Sequence, residues 1–72
     1  MEKEVAMNEQ QELEYYICHE MAKRYIGQDN SNTLRLIKLK NAYAEKYGFH
    51  LLDMLVSKIE IEIAEFLREE VL

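Results

Sequence analysis

Apolar residues return every three or four positions through most of this chain, and the two places where that rhythm breaks divide it into three amphipathic segments. In the first segment Leu13, Ile17, Met21 and Tyr25 recur at intervals of four, with Cys18 and Ala22 beside them, which draws one apolar stripe down a helix. Asn8 stands where its side chain can accept from a free amide while Gln11, three residues on, reaches back, a capping box. Glu9 and Glu12 then fall at the positive end of the helix. Gly27 is expected to close it as a left-handed residue after the last turn, with Lys23 and Arg24 against the carbonyl end. The predicted helix covers residues 8 to 26.

Residues 28 to 33, Gln-Asp-Asn-Ser-Asn-Thr, are wholly polar and form the expected loop. Asn30, Ser31 and Asn32 are each suited to cap a second helix, predicted over 32 to 47 and ended by Gly48. It would bury Leu36, either Leu39 or Ile37, Tyr43 and Tyr47. A third helix is predicted over 50 to 70. His50 is taken as its cap, which puts Asp53 at the third helical position and Phe49 and Met54 in the places of a hydrophobic staple.

The third segment carries the clearest periodicity, because Leu52, Val56, Ile59, Ile63 and Phe66 follow a four-three-four-three spacing on one seam. Leu55 and Leu67 widen that seam, and Leu51, Met54 and Ile61 lie off it, more apolar surface than one neighbouring helix covers. The run Ile59-Glu60-Ile61-Glu62-Ile63 also alternates as a half-buried strand would. No second segment offers hairpin chemistry to pair with it, and a lone strand leaves its backbone groups unpaired.

Two glycines, no proline and 72 residues leave too few turn formers for a β-rich fold. The expected fold is all-α: a small three-helix bundle, or a helical hairpin plus third helix, that self-associates. It forms one domain over 8–72 behind a flexible acidic segment over 1–7. A domain this small buries only about 60% of its unfolded surface. With 49% apolar residues, some of that surface is expected to meet a partner. The lone Cys18 cannot form a disulfide within the chain and suits a reducing compartment. Apolar runs such as Met54-Leu55-Val56 are far shorter than the ~18 residues of a membrane span. Met1-Glu2-Lys3-Glu4 does not open like a secretory signal, so a cytoplasmic setting is expected.

Charge is segregated. Residues 1 to 14 hold Glu2, Glu4, Glu9, Glu12 and Glu14 against Lys3; residues 15 to 46 hold six bases against Glu20, Asp29 and Glu45; residues 47 to 72 hold six acids against Lys58 and Arg68. A basic centre between acidic ends makes antiparallel neighbours attract, each exposed pair contributing about 0–1 kcal/mol.

Candidate chemistry is sparse. One Cys and two His do not make a four-ligand structural zinc site, and His19, on a face with Glu12 and Tyr16, reads as a surface histidine. Ser31 and Ser57 lie in no nucleophile elbow, Cys18 and His19 diverge by about 100° on a helix, and glycines 21 residues apart build no phosphate loop. Glu62, Glu65 and Glu69 line up as a solvated face. Neither a cofactor nor an enzymatic activity is expected.

Binding is the remaining class. Arg35, Lys38 and Lys40 make the second helix basic and open a nucleic-acid alternative, a helix-turn-helix-like regulator. An isoelectric point near 4.9 and a third helix rich in acids argue against it, since such a helix is repelled by phosphates. The same acids suggest a nucleic-acid decoy. Five tyrosines exceed what a small core needs, and tyrosine is enriched at binding hot spots, although Tyr25, Tyr43 and Tyr47 also suit a core rim with hydroxyls in water. The favoured expectation is a small acidic regulatory protein, of inhibitor, antirepressor or adaptor type, that binds another protein or a second copy of itself. Its contact residues would be Leu51, Met54, Leu55, Lys58, Ile61, Glu62 and Glu65. Size and charge would suit an inhibitor from a phage or other mobile element.

Overall fold

The computed structural model describes residues 8–71, with side chains as far as Glu69, as three α-helices in mutual contact: α1 (Glu9–Tyr25), α2 (Thr33–Tyr47) and α3 (Phe49–Val71). The acidic segment expected to be flexible, 1–7, lies outside the described residues, as does Leu72. No helix among the described residues is long and apolar enough to cross a membrane.

The capping box opens α1 as its sequence dictates. The Gln11 amide donates to Asn8 Oδ1 at 2.8 Å, and the Asn8 amide donates to Gln11 Oε1 at 3.2 Å. Its end differs from expectation. The amides of Ile26 and Gly27 both donate to the Ala22 carbonyl, and that of Asp29 reaches back to Lys23, so the chain winds on past the last helical residue. The left-handed position falls on Gln28, at φ 57°, and not on Gly27. Glycine is required at 27 for a different reason, since a Cβ there would lie 2.9 Å from the Lys23 carbonyl oxygen.

The loop is tied at both sides. Asp29 Oδ1 accepts from the Ser31 amide and hydroxyl at 3.0 and 2.7 Å, and Arg24 Nη1 donates to Thr33 Oγ1 at 2.6 Å. At the far end of the pair Lys46 bonds Glu9, and Tyr43 bonds Glu14, so α1 and α2 run antiparallel.

A single residue, Gly48, joins α2 to α3. Its amide donates to the Ala44 carbonyl at 2.8 Å and its own carbonyl accepts from Leu52 at 3.2 Å, with φ 97° and ψ 153°. One backbone unit thus ends one helix and begins the next, which corrects the expected His50 cap. His50 is taken into the first turn of α3, and Phe49 and Met54 are exposed rather than stapled.

The core is built from Ile17 and Met21 of α1, Leu36, Tyr43 and Ala44 of α2, and Leu52, Ile59 and Ile63 of α3. Leu13, Cys18, Leu39, Tyr47, Leu55 and Val56 pack around it, so Leu39 rather than Ile37 is the inward residue. Residues 59–63 are helical throughout, which removes the strand. Phe66, expected on the buried seam of α3, is exposed, and so is Tyr25 at the end of the α1 stripe. At about 1.5 Å per residue, the 23 residues of α3 outreach the 17 of α1 and the 15 of α2. The seam therefore continues past the place where a helix is left to cover it.

Candidate functional site

An uncovered apolar surface lies on the outer side of α3. His50, Met54, Ser57 and Ile61 are spaced to share one helix face, and with Asp53, Lys58 and Glu62 they line an open hollow of ≈ 480 Å³. Met54 is 57% exposed and Ile61 59%, although large apolar side chains of this kind are usually enclosed. Four of the expected contact residues, Met54, Lys58, Ile61 and Glu62, therefore meet in one place. Leu51 and Glu65 are exposed at its margins, whereas Leu55 turns inward and is half-buried against the core.

The basic residues of α2 do not form one surface. Arg35 and Lys38 flank a hollow of ≈ 520 Å³ with Leu34 and Leu39, while Lys40 is half-buried on another side of the helix. Arg35 is also engaged, its Nε lying 3.1 Å from Glu20 Oε2.

That contact belongs to a cluster that periodicity did not single out. Glu20 is 4% exposed and Asn32 7%. Asn32 Nδ2 donates to the Glu20 carbonyl oxygen at 2.9 Å and to its Oε1 at 2.7 Å. Lys23 Nζ stands 3.9 Å from the same carboxylate. The hydrogen bond from Asn32 holds the Glu20 carboxyl below its ordinary pKa, against the opposing effect of burial, and the charges of Lys23, Arg35 and His19 add to it. Because Asn32 faces Glu20, it occupies the N-cap position of α2 without a side-chain cap bond, and its Oδ1 is a buried acceptor with no partner among the described residues. The signal for this cluster is present in the sequence: Glu20 falls three residues after Ile17 and one before Met21, an acid inside the apolar stripe of α1. Its chemistry is that of a clamp between helices, since its charges satisfy one another.

Around the clamp, Tyr15, Tyr16 and His19 rim an open polar groove of ≈ 580 Å³. The Tyr15 ring stacks on His19 at 6.1 Å and meets Tyr16 edge-on at 5.6 Å. Tyr43 departs from the expectation of a hydroxyl in water. It is buried, donates to Glu14 Oε2 at 2.8 Å and accepts from Gln10 Nε2 at 3.2 Å, and burial raises its pKa. Tyr47 is half-buried, and Tyr25 is exposed. Among the described residues no group of three or more His, Cys, Asp or Glu side chains stands where one metal ion could be held.

No family model matches the chain, and neither a curated protein nor a solved structure matches it.

Proposed function

We propose that this chain is a small regulatory protein that binds another protein stoichiometrically, as an inhibitor, antirepressor or adaptor does, through the outer face of α3. The observation that carries this is the pair Met54 and Ile61, each more than half exposed on one helix face and rimmed by Asp53, Glu62 and Glu65. An amphipathic helix of this kind lays its apolar side chains into a groove on its target. Burial contributes roughly 25 cal/mol for each Å² of apolar surface removed from water. The acids at the margin favour a groove edged with lysine or arginine and speed encounter with it. A reducing, cytoplasmic setting agrees with the lone thiol of Cys18.

A nucleic-acid-binding regulator is the alternative, and it is less well supported. Arg35 is held by Glu20 and Lys40 is half-buried, which leaves Lys38 as the freely presented base of the three. An acidic decoy fares no better, because the acids of the α3 face are interleaved with large apolar side chains that a phosphate mimic does not need.

The test is isolation of tagged protein and of a Met54→Ser/Ile61→Ser variant from source cells, followed by native mass spectrometry. A complex of defined stoichiometry with the unaltered chain, lost in a variant of unchanged helix content, is the expected result. Retention of the same complex by the variant would contradict it, and a salt-sensitive shift of duplex DNA would favour the alternative.

A further inference from the structure

Gly48 separates two helices whose hydrogen bonding it already continues. Its amide donates to the Ala44 carbonyl and its carbonyl accepts from the Leu52 amide, and both are bonds that an unbroken helix through the junction would make. One pair of torsions interrupts that helix, φ 97° and ψ 153°, in a region that glycine alone visits readily. The bend forgoes three bonds, because the amides of Phe49, His50 and Leu51 do not reach the carbonyls of Glu45, Lys46 and Tyr47. The chain has no proline to block a straight form, and the residues on both sides of Gly48 are helical. Packing holds the bend, with Leu52, Ile59 and Ile63 of α3 in the core shared with α1 and α2.

We propose that this junction is a hinge through which the chain exchanges α3 with a second copy of itself. The 15 residues of α2, Gly48 and the 23 of α3 straighten into one helix, and α3 of each copy takes the place of α3 in the other. The fold itself selects the occupant. The site that α3 leaves is lined by Ile17, Met21, Leu36, Tyr43 and Ala44, and the seam of an identical α3 is what fits it. Every core contact is then made again between copies, and no new complementary surface is needed. Closed and exchanged forms differ in the torsions of one residue and in three backbone bonds gained per chain, set against the entropy of joining two chains. Exchange of an identical element is a low-cost route to a closed pair, and short connections invite it. Each α3 begins beside Tyr47 of the other copy, which brings the two junctions together, and Phe49, 72% exposed in the single chain, lies there. Met54 and Ile61 face away from the core in either form, so the exchange neither requires nor removes docking of another protein on α3.

Gly48→Ala tests this, because alanine is disfavoured at the bent torsions and favoured over glycine inside a helix. Both effects count once in each copy, so pairing should tighten about a hundredfold or more. In dilute solution the same substitution only strains the closed fold. Sedimentation equilibrium, on samples unfolded in urea and refolded at their final concentration, should take Gly48→Ala from 8.6 kDa to twice that mass where the unaltered chain is still largely single. A Ser-Gly-Ser-Gly insertion after Gly48 interrupts the straight helix and should keep the chain single up to millimolar concentration. Nitroxide labels distinguish exchange from docking of two closed copies. They are placed at two exposed positions, Leu34→Cys/Glu65→Cys in a Cys18→Ser chain, and diluted into excess unlabelled protein so that only the distance within one chain is read. In the straight helix these positions lie about 46 Å apart at about 1.5 Å per residue, more than the 39 Å longest extent of the closed fold. The Gly48→Ala pair should show that long distance, and the unaltered chain refolded at millimolar concentration a smaller share of it. Circular dichroism establishes that each variant keeps its helices. Absence of the long distance from both chains overturns the exchange, as does a Gly48→Ala pair at the closed distance. Pairing of the insertion variant as tight as that of Gly48→Ala overturns it too.

Discussion

Asn32 donates through one nitrogen to two oxygens of Glu20, the backbone carbonyl at 2.9 Å and the carboxylate Oε1 at 2.7 Å. The residue at the start of α2 is thereby tied to α1, and its own helix is left without a side-chain cap. Sequence favours Asn at such a position for capping. Tertiary structure uses it instead to satisfy a buried acid, because an ionised carboxylate without donors is far more costly to bury than a few exposed helix amides are to leave uncapped.

Replacement of Asn32 should therefore destabilise the fold through Glu20. Asn32→Ala removes the strongest donor to the carboxylate, and Asn32→Asp removes it and sets a second negative charge beside the first. Both should lower the urea midpoint, with Asp lower than Ala. Equal midpoints for the unaltered chain and Asn32→Asp would mean that the contact is not formed.

The same contact fixes a pH dependence. The folded Glu20 carboxyl titrates below its ordinary value, so the stability it contributes is present above that value and is lost as pH falls through the folded one. Asp29, held low by Ser31, acts in the same direction. Denaturation midpoints measured from neutral pH into the acid range should fall below the ordinary carboxylate pKa. The fall should be shallower in Asn32→Ala, in which the largest cause of the Glu20 shift is gone and the Asp29 contribution remains. A parallel pair of pH curves would remove Glu20 from the account.

Helical rather than extended structure at 59–63 makes three isoleucines differ. Ile59 and Ile63 are buried, whereas Ile61 faces outward. Ile59→Ala and Ile63→Ala should each cost about 2–5 kcal/mol, and Ile61→Ala no more than about 0.5 kcal/mol. In a strand all three would lie on one face and lose stability together. Chemical denaturation of the three variants decides between the patterns.

Much of this architecture is legible in residue spacing. The α1 box at Asn8 and Gln11, the inward set Ile17, Met21, Leu36, Tyr43, Leu52, Ile59 and Ile63, and the outward position of Met54 and Ile61 all follow from a 3.6-residue period. Helix ends were less legible, because a glycine announces a break without saying which strain it relieves. Gly27 answers a close approach to Lys23, while Gly48 answers a positive φ and serves two helices at once. The clamp was not legible for a further reason: Glu20 and Asn32 are twelve residues apart, and only packing of α2 on α1 makes them neighbours. Phe66 satisfies the periodicity and is still exposed, since a seam extends only as far as the helices facing it.

The two glycines should respond differently to alanine. At Gly48 nothing lies within 4 Å of an added Cβ, so the cost is that of the φ 97° backbone alone, about 1–3 kcal/mol. At Gly27 the backbone is ordinary and the penalty is steric, so it should fall if the turn after Tyr25 relaxes. Thermal denaturation should rank Gly48→Ala below the unaltered chain with helix content retained, and hydrogen exchange should localise the effect of Gly27→Ala to residues 23–29. A Gly48→Ala variant as stable as the unaltered chain would contradict the single-residue junction.

The outer face of α3 as the working surface is tested most directly by a photo-crosslinking residue placed in turn at Met54, Ile61 and Tyr15, all exposed, in the full chain within its source cell. Positions 54 and 61 should capture one and the same protein, and position 15 should not. Capture from position 15 alone, or an indiscriminate set of products from all three, would contradict a docking role for α3.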